Sequence, residues 1–118
     1  MSVEDRLQIV TRAEADRVIV ELHGELDLAS APALAGELAR GQVSRAEAVV
    51  LDLQDLDFVD SSGLRVILEA HEQAAERGQP FAVTEGSPQV KRLLSIAGVD
   101  EHLVVLHSAD QSLAQEPR

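Results

Sequence analysis

The stretch that most constrains the fold is Ala48-Val49-Val50-Leu51-Asp52-Leu53, a nearly continuous apolar run of strand length. A strand with one wet face alternates apolar and polar residues. A run without that alternation reads as a strand covered on both faces, and so as the centre of a sheet. Its cover has to be aliphatic. Aromatic residues are 2% of the chain, Phe58 and Phe81, which leaves Val, Leu, Ile and Ala to build the core. At 118 residues the chain suits one domain around one core.

The flanking segments supply that cover. Leu7–Thr11 and Arg17–His23 are predicted strands, the second rich in β-branched residues, and the short polar Ala13-Glu14-Ala15-Asp16 joins them as a hairpin. Gly24-Glu25-Leu26-Asp27 is expected to leave the sheet. Ser30-Ala31-Pro32 is a helix start, with Ser30 as N-cap; the helix runs to about Arg40, buries Leu34 and Leu38, and ends at Gly41. Gln54–Val59 is predicted as a loop with Leu56 and Phe58 turned inward. A second helix extends from Ser61 or Ser62 to about Arg77, with Leu64, Ile67, Leu68, His71 and Ala75 on its inner side and Gly78 as its stop. Pro80–Thr84 is a strand, and Ser87-Pro88 starts a third helix whose stripe is Val90, Leu93, Leu94 and Ala97, ended by Gly98. His102–Leu106 is the last strand, Ser108-Ala109-Asp110 caps a short helix, and Gln115–Arg118 is expected to fray. The pattern predicts a single α/β domain over residues 1–118, with its core at about 7–114. Its mixed sheet has about four to five strands and is packed with about four helices.

Ten basic residues against twenty-one acidic ones give a net charge of −11. Nucleic acid is not an expected partner, because binding phosphates needs a basic stripe and none is visible. Acidic charge serves solubility, and it also suits a protein partner with a basic face. No apolar run reaches the ~20 residues that cross a bilayer, and the start, Met1-Ser2-Val3-Glu4-Asp5-Arg6, lacks the form of a secretion signal. No membrane insertion is expected, and the expected location is cytoplasmic. There is no cysteine, so disulfides, thiolate catalysis and cysteine-held zinc are excluded.

Enzymatic signatures are lacking. Val59-Asp60-Ser61-Ser62-Gly63 has no first glycine for a nucleophile elbow, and no Walker or dinucleotide glycine motif occurs. His23, His71, His102 and His107 show no base or metal-ligand spacing, and His71 reads as a packing residue. No cofactor, metal or catalytic residue is expected.

What remains is Asp60-Ser61-Ser62-Gly63-Leu64, an acid, two hydroxyls and a glycine at a predicted helix N-terminus. Free N–H groups and the macrodipole make that end favourable for an anion such as a phosphate, while Asp and Ser are equally the preferred N-caps. Lys91-Arg92 on the third helix is a solvated basic pair or the flank of a partner surface.

Three motifs occur in order: Gly24-Glu25-Leu26-Asp27, Asp60-Ser61-Ser62-Gly63-Leu64 and Ser87-Pro88-Gln89-Val90-Lys91-Arg92-Leu93. Together they resemble the STAS domain over about the whole chain, and among STAS domains the bacterial anti-sigma-factor antagonists. The resemblance implies a phosphorylation site at Ser61, modified by an anti-sigma factor that is also a serine kinase. Ser62 is then the neighbouring hydroxyl, and Asp27, Asp60 and Gly63 complete the surroundings of the site. It implies that the unphosphorylated form binds the anti-sigma factor and frees the sigma factor, that phosphorylation abolishes binding, and that a phosphoserine phosphatase restores it. The alternative on the same fold is a STAS subunit that regulates a membrane transporter, such as a lipid-transport ATPase, without being phosphorylated.

Overall fold

A computed structural model of the chain describes residues 6–111 and residue 113. Strands β1 (Leu7–Glu14) and β2 (Arg17–Leu26) form an antiparallel hairpin in register from Leu7 opposite Gly24 to Glu14 opposite Arg17. Ala15 and Asp16 alone make the turn, so both strands outrun the lengths expected from sequence.

The long β2 carries two further partners on its other side, one after the other. Its first half pairs in parallel with β3 (Val49–Asp52), and its end pairs in parallel with β4 (Leu56–Val59). Two sequence expectations are corrected here. Gly24-Glu25-Leu26 stays in the sheet, and Gln54–Val59 is largely a strand. The register shifts between Gly24 and Glu25, where Gly24 adopts φ +104° and a Cβ would lie 2.3 Å from the Arg6 carbonyl oxygen. That irregularity lets one strand serve two successive partners. Leu56 is buried as expected, whereas Phe58 points outward and is 45% exposed.

Beyond β3 lie β5 (Phe81–Thr84) and β6 (Val104–Leu106), both parallel, giving the order β1-β2-β3-β5-β6 with β4 beside β2. The mixed sheet expected from sequence is present, with β3 central and one more strand than foreseen.

The helices are α1 (Ala31–Ala39), α2 (Gly41–Ser44), α3 (Ser61–Glu76) and α4 (Pro88–Ile96), followed by a 3-10 turn at Val99–Glu101. Ser87 caps α4 as read, its Oγ accepting from the Val90 N–H at 3.2 Å. Gly41 does not end the first helical segment cleanly. Arg40 turns extended and Gly41 opens the single turn of α2. On α3 it is Ala74, not Ala75, that is buried, and Ala97 after α4 is exposed. The chain turns at 108–111; the remainder of the short helix expected there, like the fraying expected at 115–118, lies outside the described residues.

The core sits on both faces of β3. On one face Val18, Val20, Leu22, Val49, Leu51, Phe81 and Val83 meet Leu34 and Leu38 of α1, Ile67 and Ala74 of α3, and Val90 and Leu94 of α4. On the other, Ile19, Val50, Ala82 and Leu106 lie beneath Ala109. Each fully buried leucine or isoleucine contributes about 1.5–3 kcal/mol, so Leu34 and Ile67, wholly enclosed, anchor α1 and α3 to the sheet. His71 packs edge-on against Phe81, with ring centroids 6.2 Å apart.

Candidate functional site: the ends of β2 and β4

Leu26 and Val59 are register partners, so the segments that follow them leave the sheet side by side. One is the 27–30 turn leading to α1, the other the start of α3. The Asp60 N–H donates to the Leu26 carbonyl at 3.1 Å, extending the pairing by one residue.

Asp60 is the N-cap of α3. Its Oδ1 accepts from the backbone N–H of Ser62 at 2.9 Å and of Gly63 at 3.1 Å, satisfying two of the helix's free donors. Its Oδ2 accepts from the Leu28 N–H at 3.2 Å, which ties the 27–30 turn to the helix start. Both oxygens are thus held by backbone donors.

Asp27 organises the turn in a parallel way. Its Oδ1 accepts from the N–H groups of Ala29 (3.0 Å) and Ser30 (3.1 Å), and its Oδ2 pairs with the Arg6 guanidinium at 2.6 Å. Burial works against the Asp27 charge, but hydrogen bonds from Arg6 and Ser30 outweigh it and hold the carboxyl below its ordinary value. The same hydrogen bond raises the Arg6 pKa. Ser30 does not cap α1 with its side chain as sequence suggested. Its hydroxyl instead donates to the Glu25 carbonyl at 2.8 Å and accepts from the Asp27 N–H at 2.9 Å.

Ser61 is the first residue of α3 and is exposed, with its hydroxyl in no hydrogen bond among the described residues. Ser62 is half-buried. Gly63 is buried: a Cβ there would lie 2.6 Å from Leu26 Cγ and 2.9 Å from Val59 Cγ2, so the first turn of α3 is pressed onto the ends of β2 and β4. Of the five sequence-selected residues, Asp27 and Asp60 frame the surface, Ser61 and Ser62 lie on the first turn of α3, and Gly63 supports it from beneath.

Sequence reading missed several exposed or paired side chains outside the motifs. Arg6 is one. Others are the apolar side chains of Leu28 (75% exposed), Phe58 and Ile96 (71% exposed). Phe58, Val90, Leu93 and Ile96, with Arg92 at the rim, line a cavity of about 350 Å³. The Lys91-Arg92 pair divides: Lys91 approaches Glu85 at 3.4 Å, while Arg92 lines that cavity. Among the described residues no helix is long and apolar enough to cross a membrane.

The STAS domain family model matches residues 7–112. The chain belongs to the STAS family. Within it, this domain groups with anti-sigma-factor antagonists. It is 36% identical over 94 residues to the anti-sigma F factor antagonist of Paenibacillus polymyxa, covering 79% of this chain and 80% of that one. To the anti-sigma-F factor antagonist RsfB of Mycobacterium tuberculosis it is 25% identical over 101 residues, covering 86% and 82%. The crystal structure of an anti-sigma factor antagonist from Mycobacterium paratuberculosis superposes with a TM-score of 0.80 at 25% identity, covering 93% of each chain.

Proposed function

We propose that this STAS domain is an anti-sigma-factor antagonist switched by phosphorylation of Ser61. Unphosphorylated, it binds an anti-sigma factor that is also a serine kinase and so frees the sigma factor. Phosphorylated on Ser61, it lets go, and a phosphoserine phosphatase resets it. The domain works in the cytoplasm as a binding protein, not an enzyme. The observation that carries the reading is Ser61 itself: an exposed hydroxyl without an internal partner among the described residues, on a helix turn fixed beneath it by Asp60 and Gly63. The names of the relatives support the partner class.

The switch acts by local charge and bulk, without refolding. A phosphoserine adds about −1.5 to −2 charges at neutral pH. At the first position of α3 the helix dipole favours it by roughly 0.3–1 kcal/mol, so the domain tolerates it. A partner surface closed over Ser61 does not, because the new group needs hydration and space. A 100-fold loss of affinity needs about 2.7 kcal/mol, within the range of one misplaced charge at an interface centre. Exposed Leu28 and Phe58 supply the apolar contact area such a surface uses.

The test is phosphorylation by candidate anti-sigma kinases with Mg-ATP, read by intact mass and peptide mapping. The expected result is one phosphoryl group, lost in Ser61→Ala and kept in Ser62→Ala. Failure of every such kinase, with a transporter ATPase recovered as partner instead, overturns the reading in favour of the transporter subunit.

A further inference from the structure

We infer that Arg65 is the internal counter-ion of phosphoserine at position 61. The inference rests on the modification proposed above and assigns it a second residue. Ser61 and Arg65 are four apart on α3, both exposed, and both line one open groove of about 390 Å³ together with Leu64, Leu68 and Val99. Side chains on a helix lean toward its N-terminus, so a long residue covers the turn before its own Cα. The turn before Arg65 is the one that begins with Ser61.

The state of the other cations sharpens the assignment. Arg6, Arg12, Arg17, Arg40 and Lys91 each have a carboxylate within ion-pair distance. Arg45, Arg65, Arg77 and Arg92 have none among the described residues, but of these unpaired cations only Arg65 lines the groove that holds Ser61. It is unpaired although Glu69 lies one turn further along the same helix. Acid before base at i and i+4 is the better orientation for a helical pair, and base before acid the poorer one. Glu69 therefore offers Arg65 the poorer arrangement. A phosphate on Ser61 offers the better one, with a planar guanidinium suited to two parallel N–H···O bonds.

The other charges facing the phosphate are acidic or already engaged. Asp60 caps the helix, Asp27 is held by Arg6, and Glu69 and Glu72 line the groove. Across it, Ala97 and Val99 bring no charge. Arg65 is thus the cation placed to offset the phosphoryl group within the domain, so the modified form is stabilised by the domain's own residues.

The test uses protein carrying phosphoserine installed at 61 during translation, so that no kinase is needed. The second ionisation of the phosphate is followed by 31P NMR at low salt in the wild-type background, Arg65→Gln, Arg65→Lys and, as a remote control, Arg45→Gln. The expected result is an ionisation shifted up by roughly half a pH unit in Arg65→Gln, partly restored by Arg65→Lys, unchanged in Arg45→Gln, and diminished in 1 M salt. Superimposable titrations of the wild-type background and Arg65→Gln overturn the inference. The titration reports on Arg65 whether or not any kinase modifies Ser61, so the two ideas fail separately.

Discussion

Asp60 is occupied on both oxygens by backbone N–H groups, two within α3 and one from Leu28. Its work is to hold the helix start and the 27–30 turn as one piece, and the Ser61 and Ser62 hydroxyls beside it make no hydrogen bond among the described residues. Asp27 stands one contact further out, bound to Arg6. Its carboxyl is held below the ordinary value of about 3.9. A lowered folded-state pKa means that the charged form stabilises the fold. That contribution is fully present above the unfolded value and is lost as pH falls through the folded one. Urea unfolding of wild type and Asp27→Asn is therefore expected to show a gap at pH 7 that closes as the pH drops below about 4. A gap that widens on acidification contradicts the assignment. The motif residues were legible in the sequence because capping chemistry is local. Arg6 was not, since it is 21 positions from Asp27 and meets it only because the β1–β2 hairpin folds back.

At the level of secondary-structure elements, the site depends on how closely α3 begins against the ends of β2 and β4. Gly63 sets that distance, because the space for a Cβ is already filled by Leu26 and Val59. Gly63→Ala is expected to cost about 1–3 kcal/mol by overpacking, seen as a lower urea midpoint with little change in slope. An unchanged midpoint would mean that the helix has room to move away. The helices themselves were well marked, with Ser87-Pro88 and Asp60 at two starts and Gly78 after α3. β4 was not. Leu56-Asp57-Phe58-Val59 runs in, out, out, in, which follows neither strand nor helix period, and it pairs with the one part of β2 where the register shifts. Ile96 escaped for a related reason: it lies off the Val90 and Leu94 stripe and faces solvent.

For the molecule as a whole, a sheet filled on both faces around β3 gives a rigid platform, and the proposed switch sits at its rim, not in its core. Rigidity of this kind is what a charge switch requires. In the proposed switch the partner senses the added phosphate directly, and Leu26, Val59 and Ile67 behind the site are all buried. The fold was legible from the uninterrupted run of β3 and the capped helices beside it, and the three motifs in order pointed to the candidate site. The exposure of Leu28, Phe58 and Ile96 needed coordinates, since a lone exposed apolar residue looks in sequence like a core residue.

The proposed switch stands or falls on one phosphoryl group on Ser61 abolishing partner binding while the fold stays the same. It is probed by titration calorimetry of the anti-sigma kinase with the unmodified domain and with the domain carrying phosphoserine at 61. Amide NMR spectra of the two forms would be compared alongside. The expected result is an affinity at least about 100-fold weaker for the phosphorylated form, with spectral changes confined to the 27–30 turn and the first turns of α3. Equal affinities, or a loss of affinity accompanied by changes throughout the sheet, would contradict it.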